Sequence, residues 1–158
     1  MTHLKFFGAL CVLLSGLILS SCDSNRVFED YVKIPDSKWD REHIVSFEVN
    51  ITDTLNPHNL YVDVRNSGKY TKANLWLFIR TISPKGEVVK DTFNCPLADE
   101  TGRWYGSGFG DIFDSQFLLK TRVVFPHSGT YVFEYEQGMR EKKIPGIVDV
   151  GLRVEKSE

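Results

Sequence analysis

The chain has little sulfur chemistry to offer. Only three cysteines occur in 158 residues, Cys11, Cys22 and Cys95, and the first two fall in a leader-like N-terminus. Cys95 is left alone, so no disulfide can close within the folded part. A solitary cysteine followed by Pro96 reads as a small buried hydrophobe and not as a nucleophile. Basic runs are missing as well. Nineteen Lys and Arg stand against 21 Asp and Glu with no cationic stripe, which excludes nucleic acid as a partner class. No Gly-x-Ser-x-Gly occurs, and two of His43, His58 and His127 sit in turns, so a hydrolase triad has no frame. Gly106-Ser107-Gly108-Phe109-Gly110 lacks the Gly-Lys-Ser/Thr that completes a phosphate loop. Asp99, Glu100, Asp111 and Asp114 match no calcium-loop spacing, and nothing fixes a separation between them for glycoside chemistry. No metal site, cofactor or catalytic group is expected. Helical periodicity is equally scarce and persists for a turn or two at most, at residues 97–101 or 112–116.

What is present begins with an address. Lys5 supplies a basic start, residues 6–19 are an apolar tract, and Leu19-Ser20-Ser21-Cys22 follows. A tract this short reads as a signal peptide and not as a membrane-spanning helix. The tetrad is a bacterial lipobox, with small residues admitting the peptidase and the Cys22 thiol taking the lipid. Residues 1–21 are therefore read as signal peptide, and residues 22–30 as the lipidated cysteine with a short polar tether. The eight tether residues span at most ~27 Å, which keeps the domain close to its membrane. No acidic cluster follows Cys22, which favours a periplasm-facing position. Removing Lys5 leaves 18 basic and 21 acidic residues, a net charge of −3.

Residues 31–158 form one domain by length, large enough for a core without staples. From Tyr31 the period is two. Val45, Phe47, Val49 and Ile51 alternate with polar residues, as do Leu60, Val62 and Val64. Residues 75–82 are apolar on both faces and read as a central strand with Trp76 in the core. Ser83-Pro84-Lys85-Gly86 has type I turn chemistry, so residues 87–93 should pair back as a hairpin. A second hairpin is expected from residues 117–125 and 130–136 around Pro126-His127-Ser128-Gly129. Residues 137–146 read as a polar loop. In the last strand, Val148, Val150, Leu152 and Val154 should face the core. Seven or eight such strands predict an all-β sandwich or jelly roll.

The most individual stretch is residues 97–114. Four glycines between positions 102 and 110 call for positive φ or a close approach that a side chain would block. Trp104, Tyr105 and Phe109 lie among them, so the loop should fold back onto apolar surface as the long crossover of the domain. Trp104 is expected to plug its own loop, with Arg103 and Asp111 presented to a protein partner. The alternative is a glycan platform built by Trp104 and Tyr105 together.

Several stretches, taken in order, resemble the GldH family of gliding-motility lipoproteins of the Bacteroidetes. They are Cys22, Asn59-Leu60-Tyr61-Val62-Asp63-Val64-Arg65, Asn74-Leu75-Trp76-Leu77-Phe78, Asp91-Thr92, Leu97-Ala98-Asp99 and Gly102-Arg103-Trp104-Tyr105-Gly106. Gly108, Gly129-Thr130-Tyr131, Met139-Arg140 and Gly146-Ile147-Val148-Asp149-Val150-Gly151-Leu152-Arg153 complete the set. The resemblance covers nearly all of the chain after Cys22. It implies a lipid-anchored envelope component needed for gliding, working beside the type IX secretion apparatus with envelope protein partners. It brings no enzymatic activity and no catalytic residues. Members in non-gliding species imply that envelope assembly or secretion is the shared role.

Overall fold

The computed structural model describes residues 24–157; the leader and Cys22 lie outside them. Burial follows the alternation of the sequence. In β3 (Val45–Ile51), Val45, Phe47, Val49 and Ile51 are buried, and Ser46, Glu48 and Asn50 face water. The other strands are β1 (Arg26–Lys33), β2 (Lys38–Asp40), β4 (His58–Ser67), β5 (Asn74–Ile82) and β6 (Val88–Pro96). Then come β7 (Ser107–Phe109), β8 (Ile112–Val123), β9 (Gly129–Gln137), β10 (Lys143–Pro145) and β11 (Ile147–Lys156). Two antiparallel sheets form, ordered β1-β11-β4-β8-β7 and β3-β9-β5-β6, with a β2-β10 ribbon beside them. One 3-10 turn, Pro35–Ser37, is the sole helical element among the described residues. The fold is the all-β sandwich expected.

The inner faces make one core. Val62, Val64, Leu75, Leu77, Phe133, Tyr135, Val150 and Leu152 are fully buried in it, each contributing about 1.5–3 kcal/mol of apolar burial. Phe47 packs edge-on against Tyr135 with ring centres 5.2 Å apart. Trp39 is wholly buried, and its indole N–H donates to the His43 carbonyl at 2.9 Å, so burying the ring leaves no donor unpaired.

Strand direction sorts the loops into two poles. At one pole β1 begins, β11 ends and β4 begins. There the Lys156 N–H donates to the Asn25 carbonyl and the Ser157 N–H to the Pro57 carbonyl, both at 2.8 Å. The antiparallel register brings residues 52–57, 83–87 and 124–128 to the same end. The opposite pole carries residues 68–73, 97–106, 110–111 and 138–142. The ten residues of β4 set the poles about 30 Å apart.

Several expectations are corrected. The tether does not run to Asp30: Arg26 already pairs with Glu155 in β1, and Phe28 stacks edge-on to Phe47 at 6.5 Å. Residues 117–125 and 130–136 are not a hairpin, because β8 pairs with β4 and β7 while β9 pairs with β3 and β5. Residues 124–128 instead carry the chain from one sheet to the other. Phe125, the buried residue of that connection, packs between His58 and Tyr131. Residues 112–116 open β8 and are not helical. A register shift between Ile147 and Asp149 puts Ile147 in the core and leaves Val148 half-buried. β5 lies between β9 and β6 as a central strand, yet Trp76 and Phe78 are 41% and 45% exposed. A two-layer sandwich covers only one face of each sheet. Residues 137–146 hold β10 and the buried Met139 and Ile144.

Candidate functional site

The glycine-rich crossover leaves the four-stranded sheet at Pro96 and joins the five-stranded sheet as its edge strand β7 at Ser107, turning at Gly110 into β8. Its stem is fixed by backbone bonds. Leu97 and Ala98 N–H both donate to the Ala73 carbonyl, and Tyr105 N–H donates to the Leu97 carbonyl at 2.9 Å. Between them Asp99 closes a turn. Its Oδ1 accepts from the Thr101 hydroxyl at 2.6 Å and from the Thr101 and Arg103 N–H groups, while Arg103 Nε donates to Oδ2 at 3.2 Å. The Thr101 hydroxyl above all holds the Asp99 carboxyl below the usual range. The glycines behave as the sequence demands. Gly110 has φ +66°, and a Cβ on Gly108 would collide with the Ile112 carbonyl across the β7–β8 hairpin.

The four residues singled out from the sequence separate into roles. Trp104 is half-buried, lying between Tyr70 and Phe113 with ring centres at 6.5 and 5.6 Å. Tyr105, its neighbour in an extended segment, points the other way and is 61% exposed. The two rings therefore do not form one platform. Arg103 is exposed. Asp111 is occupied within the fold: its carbonyl and Oδ1 both accept from the Gly68 N–H at 3.2 Å, tying the hairpin tip to the loop after β4. Phe109, which the sequence placed against apolar surface with the other aromatics, is 97% exposed at that tip. A cavity of about 440 Å³ next to it is lined by Asp111, Lys33, Lys38 and Lys69, among others.

A second constellation was not foreseen. On the outer face of the five-stranded sheet, Arg65 Nε donates to Asp114 Oδ2 at 2.9 Å and Nη1 faces Asp149 at 3.5 Å. Asp63, two residues earlier on β4, is 1% exposed and accepts from Gln116 Nε2 at 2.8 Å, but its Oδ2 has no partner. Burial pushes the Asp63 and Asp149 carboxyls up, and burial first, then the nearby carboxylates, pushes the Tyr31 phenol up to about 12. Tyr31 lies across Gly151, where a Cβ would stand 2.8 Å from the ring. Cys95 is fully buried with its thiol pushed up by burial, so it offers no thiolate. Among the described residues no group of His, Cys, Asp and Glu is placed to hold a metal ion. No helix among them is long and apolar enough to cross a membrane.

Fold and site together define a β-sandwich whose surface features are exposed aromatics and ion pairs. A family model described as GldH lipoprotein matches residues 26–154. A relative named "Gliding motility lipoprotein GldH homolog", from Christiangramia forsetii, is 33% identical over 159 residues, covering 96% of this chain and 97% of its own. Another, "Gliding motility lipoprotein GldH" from Flavobacterium johnsoniae, is 34% identical over 154 residues, covering 93% and 95%. The chain belongs to the GldH lipoprotein family. A solved structure of infectious bursal disease virus Gx strain aligns at TM-score 0.33 and 12% identity, over 83% of this chain and 30% of that one.

Proposed function

We propose that the chain is a non-enzymatic, lipid-anchored component of the bacterial cell envelope that serves gliding motility together with the type IX secretion machinery. Cys22 carries the lipid, and the domain faces the periplasm. Family membership supports the lipoprotein and motility parts of this reading. The observation that carries the rest is the separation of the two poles. β1 begins at Arg26, four residues after Cys22, so the anchor lies within ~14 Å of one pole. Arg103, Tyr105 and Phe109 are exposed at the other, about 30 Å away. A crossover braced by Trp104 and Asp111 holds those side chains out from the membrane, where a protein partner can take them. Photo-crosslinking from positions 105 and 109 in gliding cells tests this. Discrete protein adducts from both positions, and loss of colony spreading in a Tyr105→Ala/Phe109→Ala strain, are expected. Normal spreading with no adducts overturns the partner assignment.

A glycan-binding reading rests on the outer face of β5 and not on Trp104 and Tyr105. Trp76 and Phe78 lie two residues apart on the outer face of β5, opposite Asn94 and Thr92 of β6. Exposed rings on a flat sheet beside amide and hydroxyl groups suit sugar stacking. Trp76→Ala with an unchanged melting temperature and lost binding to envelope polysaccharide would support this second reading over the first.

A further inference from the structure

The pole nearest the tether carries an apolar tip with no structural task in the fold. Leu55 is 87% exposed at the summit of the turn between β3 and β4. That turn is rigid. Asp53 Oδ1 accepts from the N–H groups of Leu55 and Asn56, both at 3.0 Å, and Oδ2 accepts from Asn56 Nδ2 at 2.8 Å. The Asn56 side chain and these N–H groups hold the Asp53 carboxyl down at about 2. The leucine is thus held outward on a braced loop. On the same pole Val124 is 51% exposed, and with Val89 (52%) and Pro126 it rims an apolar groove floored by Leu60 and Phe133.

We infer that this pole is a membrane-contact surface, in which Leu55 and Val124 enter the apolar margin of the bilayer that holds the Cys22 lipid. The inference rests on the lipid-anchor reading, and the position of the chain start gives the occupant. Arg26 stands four residues after Cys22, a reach of at most ~14 Å, so this end of the sandwich cannot stand clear of the surface. The pole also bears Arg26, Lys85, Arg122 and Lys156 against Asp53, Glu87 and Glu155, a mixed surface with an excess of a single positive charge. Its attraction to lipid is therefore apolar, and it holds for zwitterionic vesicles and at high salt. Docked this way, the sandwich stands upright with Tyr105 and Phe109 pointing from the membrane.

The test uses the full lipidated chain in phosphatidylcholine–phosphatidylethanolamine vesicles. In a Cys95→Ala background, whose only other mature cysteine is acylated, Leu55→Cys, Val124→Cys and Phe109→Cys are each labelled with an environment-sensitive fluorophore. Doxyl-labelled lipid is expected to quench positions 55 and 124 several-fold more than position 109, unchanged by added salt. Leu55→Asp, at a side chain that is largely exposed, should fold normally and lower quenching at position 124. Flotation with the vesicles but equal quenching at 55 and 109 overturns this inference alone. Failure of the chain to float overturns the anchor reading and the inference with it.

Discussion

The guanidinium of Arg65 stands 4.1 Å over the centre of the Tyr31 ring. Arg65 also meets Asp114 on β8 and Asp149 on β11, so one side chain spans β1, β11, β4 and β8. The sheet is cross-linked on its outer face by charge as it is on its inner face by packing. Removing Arg65 leaves the half-buried Asp149 carboxylate without its ion-pair partner, with Lys33 across the β1–β11 register as the remaining nearby cation.

Arg65→Ala should therefore destabilise the domain by about 1–3 kcal/mol. A fully buried pair would cost more, but the Arg65 side chain is 35% exposed and solvent screens part of the loss. Arg65→Lys, which keeps the charge and loses the planar fork, should fall between wild type and alanine. Urea unfolding of the three proteins checks the order. A lysine variant below the alanine variant would contradict this account.

Trp104 and Tyr105 provide a matched pair. Trp104→Ala removes a half-buried ring between Tyr70 and Phe113 and should cost roughly 2–3 kcal/mol, below the range for fully buried aromatics. Tyr105→Ala, at an exposed position, should change stability by less than about 0.5 kcal/mol. Thermal unfolding distinguishes them. Equal melting temperatures would mean that Trp104 does not brace the crossover.

The pH dependence of stability follows from two opposed sets of carboxylates. Asp99, held low by the Thr101 hydroxyl, contributes stability that is present above its ordinary value and lost as pH falls. Asp63 and Asp149, raised by burial, contribute stability that is present below their ordinary value. It is lost as pH rises through their folded values. Asp63→Asn removes one raised group, so its melting temperature should decline less than wild type as pH rises above the ordinary aspartate value of about 4. A steeper decline in the variant would reverse the assignment.

The strands were legible in the sequence because alternation such as Val45, Phe47, Val49 and Ile51 is a local signal. The glycine-rich crossover was legible as well, since glycines mark backbone demands directly, and its path between the sheets agrees. Pairing was less legible. Whether residues 124–128 turn a hairpin or change sheets depends on the aromatic contacts of Phe125, which are made across the fold. Ile147 and Val148 exchanged roles through a bulge that no alternation announces. The charged face escaped notice for a related reason. Asp63, Arg65 and Asp149 each read as ordinary outward residues and Asp114 as a carboxylate flanking the glycine-rich loop, and only the register of β11, β4 and β8 brings them together.

The central claim is a lipid on Cys22 that holds the sandwich at a membrane, and metabolic labelling with an alkynyl palmitate tests it most directly. Wild-type chain should take up label and fractionate with envelopes, whereas Cys22→Ala should remain unlabelled and accumulate as uncleaved precursor. Equal labelling of the two would contradict the account.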